Sequence, residues 1–185
     1  MEQGEKSFNE MQSVKRGFFA LRNGVIADVL RRSGSPFRII FGLNLPQIAE
    51  VASTSPHSRE LAERLWANTT TRESMLLAPM LIDAEEFTID DARRWVAEVP
   101  AREVADVLCL KLLRREPYAA ELACELQNDG RALSRYTGLR LMFNLISNHT
   151  REALDYARKA ISSEDDAANL ALAKSLEEEC DFLLE

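Results

Sequence analysis

A succession of amphipathic helix-forming segments, separated by breaks only a few residues long, constrains this chain more than any other feature. Apolar residues recur at helical spacing through 58–67, 71–82, 89–98, 102–115, 117–127, 131–147, 150–162 and 164–184. No segment alternates in the manner of a strand closed by hairpin-turn residues. Local chemistry marks the boundaries. Thr70-x-x-Glu73 and Thr88-x-x-Asp91 have the form of capping boxes, Pro117 suits the first turn of its helix, and Asn128-Asp129-Gly130 reads as a turn. Upstream, residues 9–32 read as one amphipathic helix with an apolar stripe of Phe18, Phe19, Leu21, Val25, Ile26, Val29 and Leu30, ended by Gly34-Ser35-Pro36. Residues 37–45 form an apolar connector, and Pro46 opens a short helix to about Ala52.

With only 7 Gly and 6 Pro in 185 residues, helix is favoured almost throughout. Short helices joined by tight turns predict an all-α fold of about nine or ten helices, with helix content above ~65% and essentially no sheet. The expected architecture is a right-handed α-solenoid, a HEAT-like repeat stack of antiparallel helix pairs. It reads as a single domain over 1–185: N-terminal helices at 1–56, helix-pair repeats at 57–162 and an acidic capping helix at 163–185.

Charge and composition narrow the function. No apolar run approaches the ~20 residues a membrane span needs. The stretch Met1-Glu2-Gln3-Gly4-Glu5-Lys6 has no apolar core of a secretory leader. Cys109, Cys124 and Cys180 show no paired spacing, and the expectation is three reduced packing thiols in a cytoplasmic protein. His57 and His149 are isolated, and the acidic cluster from Asp83 to Asp91 matches no calcium loop. No glycine-rich phosphate loop or nucleophile elbow is present, so neither a metal nor a cofactor is expected. The net charge of −7 is unevenly spread. Residues 93–159 hold 12 basic and 9 acidic groups, whereas 160–185 hold 1 and 8. The central segment is the part suited to a polyanion, unless its basic residues form only a solvated face.

One carboxylate stands out. Asp106 lies inside the most apolar helix, Ala101 to Leu113, and a later helix carries Arg135 in an apolar context. A carboxylate there needs a partner. Arg102, four residues earlier, could pair along the helix, and Arg135 could supply a second contact. The group is then either a structural ion-pair network or a site.

Three stretches resemble the DNA alkylation repair enzymes, the AlkD-type alkylpurine DNA glycosylases built from HEAT-like repeats. They are Phe41-Gly-Leu-Asn-Leu-Pro-Gln-Ile48, then Leu61 to Trp66 continuing through Arg72-Glu73 to Leu81, then Trp95 through Asp106 to Leu113 followed by Arg135-Tyr-Thr-Gly-Leu139. The resemblance covers about 40–146. It implies that Asp106 is the catalytic acid, which would stabilise an oxocarbenium ion or orient water during release of a cationic alkylated purine. It implies that Arg135 grips the DNA backbone. Arg102, Lys111 and Arg131 are the further basic residues expected to contact DNA. The pattern departs in two places: Arg102 stands where the family has an aromatic residue four positions before its Asp, and Ala49 stands where an Arg follows Gly-x-x-x-Pro. The family's later repeats are expected to be absent. The expected function is weak duplex-DNA binding at a degenerate glycosylase site without efficient excision. The alternative is a non-enzymatic scaffold that binds another protein on its concave face.

Overall fold

The computed structural model describes residues 2–185, with the side chains of 9–83 and 85–185. The side chains of the stretch from Met1 to Lys6, read above for a leader, lie outside the described residues. Eleven α-helices are present among the described residues: α1 Glu2–Ala20, α2 Gly24–Arg32, α3 Leu45–Ser53, α4 Arg59–Trp66, α5 Arg72–Leu77, α6 Ile89–Glu98, α7 Arg102–Lys111, α8 Ala119–Leu126, α9 Ala132–Leu145, α10 Thr150–Ser163 and α11 Ala167–Leu184. Helix makes up 72% of the chain, as the periodicity predicts, and no strand occurs among the described residues. None of these helices is long and apolar enough to cross a membrane. The chain divides into two compact units, residues 1–87 and 88–185.

The first unit builds its core from Val14 and Phe18 of α1, Ile48 of α3, Leu61, Leu65 and Trp66 of α4, and Leu76 and Leu77 of α5. The expected single helix over 9–32 is two helices. Asn23 accepts hydrogen bonds from the amides of Val25 and Ile26, and its own amide donates to the Phe41 carbonyl at 2.8 Å. An Asn that can cap a new helix competes well against continuing an old one. The break also leaves much of the predicted stripe outside: Phe19 is 57%, Val25 74% and Val29 50% exposed.

Glu73 organises the connector at 39–44. Its carboxylate is fully buried and accepts from the amides of Phe41 at 3.0 Å, Gly42 at 2.9 Å and Leu43 at 3.4 Å. Arg72 Nη1 lies 2.8 Å from Glu73 Oε1 and donates to the Leu43 carbonyl at 3.0 Å. Gly42 makes this amide nest possible. Its φ is +81°, and a Cβ there would lie 2.2 Å from the Asn23 carbonyl oxygen. The capping box expected at Thr70-x-x-Glu73 therefore does not form. Thr71 is the N-cap and makes no side-chain cap bond, because Glu73 serves the connector instead. Ile39 adds one parallel bridge to Thr71, donating to the Thr70 carbonyl and accepting from the Arg72 amide.

The second unit packs around α9, which touches α6, α7, α8, α10 and α11. Its residues Ser134, Tyr136, Thr137, Leu139, Leu141 and Met142 are buried on several faces, as befits a central helix. Gly138 permits the closest approach: a Cβ there would meet the Tyr156 hydroxyl at 2.5 Å and the Ala123 carbonyl at 3.0 Å. Trp95, on α6, is fully buried. The Thr88–Asp91 capping box forms as expected. Pro117 does not open α8; it precedes Tyr118, which is the cap. Predicted helices 71–82 and 102–115 end early, their tails tightening into 3₁₀ turns at Ala78–Met80 and Leu113–Arg115. Of the three thiols, Cys109 and Cys180 are buried and Cys124 is exposed.

Candidate functional site

α7 presents Val104, Ala105, Val107, Leu108 and Cys109 to the core, which leaves Asp106 at the edge of the buried face. The sequence places this carboxylate in the interior; the side chain is instead 40% exposed. Its partners come from α9. The Tyr136 hydroxyl donates to Asp106 Oδ1 at 2.9 Å, and Arg140 Nε lies 2.7 Å from the same oxygen. Arg140 Nη2 donates to the Tyr136 hydroxyl at 3.1 Å, closing a three-membered network. The Arg140 Nε contact is an ion pair without hydrogen-bond alignment, since that nitrogen is buried and makes no hydrogen bond. Burial pushes the Tyr136 hydroxyl up, which keeps it a donor to Asp106. The Asp106 Oδ2 atom accepts no hydrogen bond among the described residues.

Arg102 does not pair with Asp106. Its Nη2 reaches Asp166 at 2.8 and 3.0 Å, and its guanidinium carbon stands 5.5 Å from the centre of the Tyr136 ring. Asp166 is held for this role because it caps α11 through the amides of Ala168 and Asn169. Arg102, Tyr136, Arg140 and Asp106 therefore form one group. Its charges, together with Asp166, sum to zero. Cys109, three residues after Asp106, contributes no nucleophile: burial pushes its thiol far up, and its Sγ contacts the Thr137 carbonyl.

Arg135 lies outside this group. Its guanidinium forks onto Glu164 at 2.9 and 2.7 Å, reaches Asp165 at 2.6 Å and donates to the Asp129 carbonyl at 3.0 Å. Glu164 is almost fully buried, and Arg135 pulls its carboxyl down to about 2. The expected Asp106–Arg135 contact is thus replaced by Asp106–Arg140. The reason is helix geometry: Tyr136 and Arg140 are four apart and share a face, while Arg135 is one residue off that face. That spacing was the signal in the sequence that would have found Arg140 and Tyr136. Arg131 caps α6, donating to the carbonyls of Ala97 and Val99. Lys111, Arg114 and Arg115 follow Asp106 on and just past α7 and have no ion-pair partner among the described residues. No group of three His, Cys, Asp or Glu that could hold a metal occurs among the described residues.

A family model for DNA alkylation repair enzymes matches residues 14–179. The chain belongs to the DNA alkylation repair enzyme family. No curated protein matches it in sequence. Its fold is similar to a solved structure from a family described as related to the HEAT-like repeat DNA glycosylases, with affinity for branched DNA structures. The two chains are 18% identical and superpose with a TM-score of 0.74 over 89% of this chain and 73% of that one. At that identity the likeness carries the HEAT-like repeat fold. The family match extends well beyond the 40–146 stretch in which the sequence motifs lie, reaching into α1 and α11.

Proposed function

We propose that this member of the DNA alkylation repair enzyme family binds DNA and recognises its structure, branched DNA above all, without efficiently releasing alkylated purines. The observation that carries this reading is Arg102. It occupies the position at which the family pattern has an aromatic residue, and it is anchored on Asp166 with its guanidinium over Tyr136. A cationic alkylpurine approaching Asp106 meets a fixed guanidinium where a π-face would have favoured it. The carboxylate is also compensated: Arg140 lies 2.7 Å from Oδ1, so little net negative charge is left to stabilise an oxocarbenium ion. The backbone grip passes from Arg135, which is committed to Glu164 and Asp165, to Lys111, Arg114 and Arg115. The solved relative's affinity for branched DNA supports a structural target.

A base-release assay tests the catalytic half. Duplex DNA carrying 7-methylguanine or 3-methyladenine is incubated with the protein, and free base is measured by chromatography. The expected result is no multiple-turnover release. Multiple-turnover release that disappears in Asp106→Asn would establish an alkylpurine glycosylase and overturn the proposal.

A further inference from the structure

Between Glu10 and Glu50 the chain carries six basic side chains, Lys15, Arg16, Arg22, Arg31, Arg32 and Arg38, against the single acidic residue Asp28. Among the described residues only Arg31 has a carboxylate partner, Asp28 at 2.7 Å. Phe19 lies in the middle of this basic stretch and is 57% exposed. Phe19 and Phe41 line two adjoining grooves of the first unit. One, of about 500 Å³, also takes in Arg22 and Arg31. The other, of about 400 Å³, takes in Lys15, Ile39 and Thr70. The ring is held in place: the Arg22 guanidinium carbon stands 3.8 Å from its centre, and Arg22 Nη1 donates to the Phe19 carbonyl at 2.7 Å. Packing does not explain this arrangement, because Phe18, its neighbour in sequence, fills the core and Phe19 does not.

We infer that this face of the first unit binds unpaired nucleotides of a DNA substrate, with Phe19 and Arg22 as a stacking platform for a base and Lys15 as a phosphate contact. An aromatic ring set in an electropositive groove is the arrangement that holds single-stranded segments. A branched DNA exposes such nucleotides at its junction. The inference rests on the reading that the protein binds DNA. A lipid surface would call for a broad continuous apolar face; here Phe19, Ile39 and Phe41 line grooves that also take in Lys15, Arg22 and Arg31.

The test is fluorescence anisotropy with two DNAs of equal length, a junction carrying unpaired thymidines and a fully paired duplex. The proteins are wild type, Phe19→Ala, Phe19→Trp and Lys15→Gln. Phe19→Ala is expected to weaken junction binding about tenfold, in line with the loss of one base stack, and duplex binding less than twofold. Phe19→Trp should restore affinity, and its fluorescence should be quenched on binding above the background of the buried Trp66 and Trp95. Lys15→Gln should lower the salt slope by about one. If wild type binds the junction and Phe19→Ala binds it equally well, this inference fails while the DNA-binding reading stands. If wild type binds neither DNA, both fail. Phe19-dependent binding to phosphatidylglycerol vesicles, with no Phe19 effect on DNA, would assign the face to lipid and overturn the inference.

Discussion

Replacing Glu73 by Ala should be among the most damaging single changes in this chain, and the structure gives the size of the effect. Its carboxylate is fully buried and answers three backbone amides and one guanidinium. Of the amide contacts, those at 3.0 and 2.9 Å are well formed and the one at 3.4 Å is long. Two orphaned buried amides cost about 1–3 kcal/mol each. The change also breaks the buried Arg72–Glu73 ion pair, in which the Arg72 side chain is 6% exposed, and breaking such a pair costs about 3–5 kcal/mol. These contributions overlap, because Arg72 keeps its bond to the Leu43 carbonyl and the connector can relax. A net loss of about 4–6 kcal/mol results, which lowers the melting temperature by about 10–20 °C for a chain of this length. Arg72→Met is the control. It leaves the carboxylate solvated by its amides and should cost only about 1–3 kcal/mol. Thermal melts by circular dichroism at 222 nm decide the matter. A Glu73→Ala melt within ~3 °C of wild type would refute the claim that this nest fixes the connector between α2 and α3.

Asp106→Asn should behave oppositely: the Asp106–Arg140 pair is 40% and 30% exposed, solvent screens it, and Asn still accepts from Tyr136, so a loss of no more than ~1 kcal/mol is expected. A melt showing more than ~3 kcal/mol lost would make Asp106 a structural residue. Glu164 should give the chain acid sensitivity. Its folded carboxyl is depressed to about 2, so its contribution is complete above the unfolded value near 4.5 and disappears as pH falls toward 2. Chemical denaturation at pH 5 and pH 3 should show Glu164→Gln flattening that decline. Glu116 has the reverse sign. Burial pushes its carboxyl up to about 7 and its Oε1 has no hydrogen-bond partner among the described residues, so its contribution is complete below about 4.5 and is lost as pH rises through 7. Glu116→Gln should therefore stabilise the protein at pH 8 by about 1–3 kcal/mol and do little at pH 4; equal effects at both would contradict this.

Helix periodicity made the all-α fold legible, because a 3.6-residue repeat with few Gly and Pro leaves a chain little else to form. Local signals with local partners also read correctly: Pro46 opens α3, and Thr88 caps α6 through Asp91. What failed were residues whose partners lie far along the chain. Glu73 has the spacing of a capping residue, yet its acceptors are spent on amides about thirty positions away. Arg135 reads as the partner of Asp106, but the buried Glu164, which ends α10, holds it. Periodicity says which residues share a face and not whether anything covers that face, so Phe19, Val25 and Val29 read as core and are exposed. The break at 21–23 was hidden for a related reason: Asn23 becomes a cap only because the Phe41 carbonyl receives its amide.

DNA binding itself is the claim on which the account most depends, and a salt titration of labelled branched and linear DNA measures it directly. If Lys111, Arg114 and Arg115 each neutralise one phosphate, the logarithmic salt slope is at least about −2.7, or roughly a fortyfold loss of affinity between 50 and 200 mM salt. The account predicts that slope together with tighter binding to the branched substrate. No anisotropy change with either DNA at 50 mM salt, or binding that does not weaken as salt rises, would contradict it.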